Sequence, residues 1–370
     1  MSVELARLET IVDNEGVAEV LSSIESKLPI GVRPRQLKVR TLVLGILVAQ
    51  ADGRRAHLTR VHQALLSLSE AERWRLGVVV SWRGRAHALT YRQIERSAGL
   101  LMRALEKPLR DGTPSALLQQ LCDALAEASV PEAHKQASSS LAVDWTDIES
   151  FARPPLEQGG PCADPEASWG HRRGKGPGQK DELFFGYLLS LATMVRDEGR
   201  AEVPELVRRM LTSAYHVDAP AAFAPVLVAM PGVGTPLGDV LCDSGYAHRV
   251  PGHWALPLRR AGANLVMDLH PHDRGPRGTH EGAIICNGSL YCPCTAMDLL
   301  ALGPPARDAS ASQLTCHDQL TAEADHYRLR RISADDCDGY HRVMCPALSG
   351  KLRCPLRPDS LVSAVTEFPI

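Results

Sequence analysis

Long apolar runs are missing from this chain. The longest, Thr41 to Ala51, falls far short of the roughly 20 residues that a membrane-spanning helix needs. No basic segment leading into an apolar stretch opens the sequence, so nothing signals secretion and the expected location is the cytoplasm. No internal repeat is found, which argues against a solenoid or propeller. Lysine is scarce, with 7 residues among 41 Lys and Arg. Net charge is scarce too: the sum of −2 speaks, on its face, against a polyanionic partner. With 44% hydrophobic and 23% charged residues, collagen-like, coiled-coil and wholly disordered chains are excluded. A length of 370 residues suggests two or three domains.

The charge that is present is segregated. Residues 1–110 carry a net +7 and the remainder −9. A basic N-terminal segment on an acidic body is the asymmetry expected when one domain meets a polyanion, so DNA becomes the candidate partner. Arginine suits bidentate contacts to phosphate and guanine. A GC-rich genome would explain the arginine total, though not its segregation.

The first 130 residues read as a helical, basic domain. Thr90-Tyr91-Arg92-Gln93 has the pattern of a capping box. In the helix that follows, Ile94, Ala98, Leu101 and Leu105 fall within about 60° of one another on a helical wheel. Arg92, Arg96 and Arg103 fall within about 40° on the opposite side. The two readings of that cationic face are a helix entering the major groove, as in a helix-turn-helix, and a merely solvated surface. Ser69 with Glu72 caps another helix, and Thr113-Pro114 starts a third. A second basic cluster, Arg33, Arg35, Lys38 and Arg40, reads equally as helix or loop.

Pro131 to Ser139 is small and polar, as in a linker. Beyond it, Ser140 to Asp147 reads as a strand ending in acidic residues, and Leu183 to Val195 as a buried strand. Val203 to Ala214 has helical spacing. Asp239 to Tyr246 is a short apolar run closing on Asp243 and a turn; His253 to Ala261 suits a helix and Asn264 to Leu269 a strand. Strands alternating with helices predict an α/β fold with a mixed sheet. A carboxylate closing a buried strand needs compensation, by a helix cap, a salt bridge or a cation. Asp144 and Asp243 each close such a strand, and two carboxylates can hold Mg²⁺.

Leu141-Ala-Val-Asp144-Trp-Thr-Asp147, the stretch Asp164 to Arg172, and Cys242-Asp243-Ser-Gly-Tyr246 resemble the DDE transposases of bacterial insertion sequences, those of actinobacteria above all. The segments Asp338 to Pro346 and Gly350 to Pro358 are similar to the cysteine-containing stretch that precedes the last catalytic helix of that family. The resemblance runs from about residue 30 to the end. It implies a ribonuclease-H-like core over 138–280, with a Cys-rich segment over 281–370. It further implies that Asp144 on the first core strand and Asp243 on the fourth are catalytic, holding Mg²⁺ or Mn²⁺ for DNA cleavage and strand transfer. Terminal-repeat DNA is the implied partner, and a homo-oligomer the implied state. The family's third acid, a Glu on a later helix, has no match here: Glu281, Glu323 and Glu367 do not suit. The expectation is therefore a C-terminally truncated transposase of impaired activity, with a non-catalytic DNA-binding remnant, or repressor, as the alternative.

Two further features complete the reading. The loop Gly170 to Lys180 fails the Walker pattern and reads as a phosphate-contacting hairpin loop or a solvated one, with Arg172, Arg173 and Lys175 as DNA-contact candidates. Seven of ten cysteines lie in the last 85 residues. Their spacing misses the usual C-x₂₋₄-C pairs, so free thiols are favoured over Zn²⁺.

Overall fold

In the first part of the chain, leucine, isoleucine and valine at helical spacing build a single apolar core. The computed structural model describes residues 3–29, 36–53, 57–106, 116–155, 160, 162–172, 180–230, 237–306, 308–334, 336 and 340–362. Helices α1 (Val3–Val12), α2 (Glu15–Lys27), α3 (Val39–Ala51), α4 (Leu58–Ser67) and α5 (Glu70–Arg75) are followed by a hairpin of β1 (Val79–Trp82) and β2 (Arg85–Ala88). Then come α6 (Tyr91–Glu106) and α7 (Leu117–Ser129). Val17 and Ile24 of α2, Leu42 and Leu44 of α3, Leu65 of α4, Ile94 of α6 and Leu121 of α7 belong to one buried cluster. α5 opens on the capping box of Ser69 and Glu72 that its sequence announces. At α6, Gln93 Oε1 accepts from both the Thr90 backbone N–H and the Thr90 hydroxyl at 2.8 Å.

The hairpin departs from the all-helical expectation for this region. Arg83 and Gly84 both have positive φ, 50° and 73°, as a two-residue type I′ turn demands. It stands between α5 and α6, so α6 does not follow another helix across a short turn.

β3 (Ser140–Glu149), β4 (Ser168–Arg172), β5 (Glu182–Val195) and β6 (Val207–Ala214) form an antiparallel array around β5. β3 runs alongside β5 from Gly186 to Val195. A Cβ at Gly186 would lie 2.0 Å from the Ile148 carbonyl oxygen, so this approach of the two backbones requires glycine. β6 is a strand where the spacing of 203–214 suggests a helix. Its backbone is taken up by β5, and its adjacent arginines Arg208 and Arg209 are both buried. Tertiary pairing overrides a helical pattern in such a segment. The 131–139 stretch is docked rather than free: Lys135 O accepts from Arg208 Nη1 at 3.1 Å, and Asp197 accepts the Ser139 and Ser140 amides at 3.1 and 3.0 Å.

The rest begins with α8 (Ala219–Val228), β7 (Asp239–Cys242), α9 (Ala255–Arg260) and β8 (Asn264–Met267). β7 and β8 are parallel, and buried Tyr246 and Trp254 pack ring to ring at 4.7 Å beside them. A three-stranded antiparallel meander of β9 (Pro276–His280), β10 (Ala283–Cys286) and β11 (Ser289–Tyr291) follows. After it come α10 (Met297–Leu300), α11 (Ala311–His326) and the short pair β12 (Arg330–Arg331) and β13 (Val343–Met344). Parallel and antiparallel pairings both occur, so the protein is mixed α/β. The chain divides into two compact units, one of 1–219 with 229–233 and one of 220–228 with 234–370. Among the described residues no helix is long and apolar enough to cross a membrane.

Candidate functional site

α6 divides as its sequence pattern requires. Ile94, Leu101, Ala104 and Leu105 are buried, while Arg92, Arg96 and Arg103 are exposed. No ion pair or hydrogen bond engages these three guanidiniums among the described residues, in contrast to Arg40, which is bound to Glu9 and Asp13. Arg40 therefore serves the helical core rather than a free basic cluster. Arg33 and Arg35 lie outside the described residues. The hairpin adds cations that sequence reasoning missed: Trp82 is 59% exposed, and Arg83 and Arg85 on either side of the turn glycine are exposed as well.

The acidic strand ends differ from expectation. β3 does not stop at its aspartates but runs on to Glu149, leaving Asp144 in mid-strand. Asp144 is exposed, and its Oδ1 accepts the Trp145 amide at 2.7 Å. Asp243 follows β7 directly, is exposed, and accepts the Gly245 amide at 2.9 Å in a tight turn that Tyr246 N–H closes. Because both carboxylates keep their hydration, the desolvation argument for a compensating cation does not apply to either. Neither is held by an ion pair among the described residues.

Asp147 is held. Arg172 on β4 donates from Nε at 2.7 Å and from Nη2 to Asp147 Oδ2, and from Nη1 at 2.8 Å to Glu149. Its guanidinium also lies over the Phe184 ring at 4.8 Å. These bonds, that to Asp147 first, push the Arg172 pKa further above its ordinary value. Arg172 thus ties β4 to β3 across two carboxylates, and a phosphate would have to compete with both. Arg173 and Lys175 lie outside the described residues.

A different group does converge. Cys292, Cys294 and Cys354 bring their Sγ atoms within 4.8 Å of one another, and could hold a metal ion such as zinc. Cys292 Sγ is 3.3 Å from Cys294 Sγ and 3.9 Å from Cys354 Sγ. Cys292 and Cys354 are buried. Burial raises the pKa of the Cys292 and Cys294 thiols, so without a metal they are neutral and poor nucleophiles. Among the described residues this is the one cluster of three or more potential ligands, and neither Asp144 nor Asp243 belongs to such a cluster.

Compared with protein-family models, with curated proteins and with solved structures, the chain matches none.

Proposed function

We propose that this protein acts on DNA as a transposase of the DDE type, and that within these 370 residues it binds DNA without completing a nuclease site. The observation that carries the reading is the α6 surface: three unpaired, exposed guanidiniums on one side of a helix whose other side is locked in the core. Phosphate contacts of this kind supply the salt-dependent part of DNA affinity and fix the register of the protein on the duplex. The exposed Trp82, Arg83 and Arg85 of the preceding hairpin add a second cationic element with an aromatic ring that can stack.

What supports a ribonuclease-H-like core is chain order. Setting aside short β4, the succession is β3, β5 and β6 antiparallel, then α8, β7, α9 and β8, with β7 and β8 parallel. Asp144 belongs to the first of these strands and Asp243 to the turn after the fourth. Two-metal phosphodiester chemistry would ask these carboxylates, with a third, to hold divalent cations. The residues present do not fit that requirement. Neither aspartate joins a group of three converging ligands among the described residues, and no third acid matches the family pattern. Binding alone is therefore favoured over cleavage.

The test is a duplex carrying the terminal repeats that flank the coding sequence, with a scrambled duplex of equal length as competitor. Preferential, salt-sensitive binding with no nicking in Mg²⁺ or Mn²⁺ is the expected result. Equal affinity for both duplexes would overturn the reading. Nicking that disappears in Asp144→Ala and Asp243→Ala would instead establish a working nuclease.

A further inference from the structure

Three turns of the second unit share one construction. Cys292-Pro293-Cys294-Thr295, Cys345-Pro346-Ala347-Leu348 and Cys354-Pro355-Leu356-Arg357 each place proline directly after the cysteine. In each, the backbone N–H three residues on donates to the cysteine carbonyl, at 2.9 Å in all three cases. Proline fixes φ at the second position of such a turn, so the cysteine is held in one backbone conformation before any ligand arrives. Thr295 locks the first turn further, its hydroxyl donating to Cys292 O at 2.6 Å. The three turns are gathered by strands: Cys292 follows β11 and takes the Tyr327 carbonyl through its own amide at 2.9 Å, while Cys345 follows β13.

The sulfur geometry distinguishes the ways four thiols can meet. A disulfide needs an S–S separation of about 2.05 Å. A tetrahedral zinc with Zn–S of about 2.3 Å has S···S edges of roughly 3.8 Å. The separations of 3.3 and 3.9 Å bracket that edge and lie far from a covalent bond. Cys345 packs against the buried Cys292–Ala347–Cys354 cluster and is hydrogen-bonded to the Cys292 thiol. Arrangements of four thiolates select zinc or iron–sulfur chemistry; a cavity bounded by single sulfur–sulfur contacts has room for one ion and none for a multi-iron cluster.

We propose that Cys292, Cys294, Cys345 and Cys354 bind one structural zinc ion, which ties the end of the β-meander to a turn 62 residues later in the chain. The ion's role is folding. Its ligands would fill all four positions, leaving no open site for a water or substrate, and its binding energy appears as stability of the second unit. This inference does not depend on the DNA reading.

The experiment uses the intact chain purified under reducing conditions from zinc-replete medium. Elemental analysis should find one zinc per chain, and cobalt exchange should give the intense ligand-field and thiolate charge-transfer bands of a tetrahedral four-sulfur site. Cys345→Ser should weaken metal binding more than about tenfold, since loss of a ligand exceeds the 10–100-fold cost of disturbing its supporting groups. Cys316→Ser, on the exposed surface of α11, should leave both readouts unchanged. Should Cys345→Ser fail to fold, titrating the unmodified chain with a mercurial reagent gives the same answer, zinc leaving as four thiols react. Absence of zinc together with a featureless cobalt spectrum, iron absorbance in the purified protein, or a disulfide between Cys292 and Cys354 would each overturn the proposal. An unchanged cobalt spectrum in Cys345→Ser would overturn the four-cysteine assignment.

Discussion

Arg209 of β6, 1% exposed, lies 3.6 Å from Glu127 of α7, and the same carboxylate meets Arg208 at 3.3 Å. One acid on a helix therefore serves two adjacent, buried guanidiniums on a strand, with Asp123 at 3.8 Å from Arg209 as a second partner. Burial lowers the pKa of Arg209 and raises that of Asp123: desolvation outweighs attraction in both. The cluster is thus a device that fixes how α7 seats on β6 more than a net source of stability.

Removing its centre should be costly. Glu127→Ala strands two buried cations and is expected to lower unfolding free energy by about 2–3 kcal/mol, below the value for a fully buried pair because the Glu127 side chain keeps 28% exposure. Urea unfolding followed by circular dichroism measures it. A change below about 0.5 kcal/mol would show that the arginines find other partners.

Acid should loosen the helical core in a defined window. Glu9, nearly buried, receives Arg75 Nη2 at 2.8 Å and Arg40 Nη2 at 3.3 Å, and Asp13 receives Arg40 Nη2 at 2.6 Å. The hydrogen bond from Arg75 first, for Glu9, and that from Arg40, for Asp13, hold both carboxyls below their ordinary 4.5 and 3.8. A depressed folded pKa means stability that is complete above the ordinary value and drains as pH falls toward the folded one. Stability should therefore be flat above about pH 5 and fall below about pH 4.5, and Glu9→Gln should flatten that fall. Its own cost at neutral pH is about 1–3 kcal/mol. An acid limb of the same steepness in Glu9→Gln would show that other carboxyls carry it.

Gly186→Ala should prevent β3 and β5 from closing. The added methyl would sit 2.0 Å from the Ile148 oxygen, a backbone atom that cannot swing away. A loss of about 3 kcal/mol or failure to fold is expected, at the upper end of overpacking. A soluble variant of unchanged melting temperature would mean that the two strands shift apart at little cost.

The α6 face can be tested without touching the core. Replacing Arg92, Arg96 and Arg103 together by alanine should leave stability within about 0.5 kcal/mol, as for exposed positions. If all three contact phosphate, the slope of log affinity for DNA against log salt should shrink by about 2.7. An unchanged slope would make this face a solvated surface.

Asp144→Asn and Asp243→Asn should be nearly neutral in stability, because each exposed carboxylate gives up only one local turn or strand contact. Asp147→Asn should weaken the anchoring of Arg172 and with it the seating of β4, read as faster amide exchange over Ser168–Arg172. If Asp144→Asn proves the more disruptive, the assignment of Asp147 as the structural acid fails.

Much of the architecture is written in local pattern. The apolar spacing of α6 fixes which side of it is buried, since a helix has no other way to bring Ile94 and Leu105 into contact with a core. Ser69 with Glu72 announces the start of α5, and the apolar run of 183–195 announces β5. The β1–β2 hairpin was legible as well, in a valine run followed by Arg83-Gly84, but basic and helical surroundings masked it.

What tertiary structure alone decided is of another kind. β6 carries a helical spacing and becomes a strand because β5 takes its hydrogen bonds and α7 takes its arginines. Arg172 looks like a free cation in the sequence; the pairing of β4 with β5 delivers it to Asp147 and Glu149. The cysteines show the limit most clearly. Spacing rules read ligand pairs along the chain, and none is present, because the partners of Cys292 and Cys294 lie 51 to 62 residues away. Strand pairing brings the three Cys-Pro turns together, and a local pattern carries no information about which distant turns a sheet will place side by side.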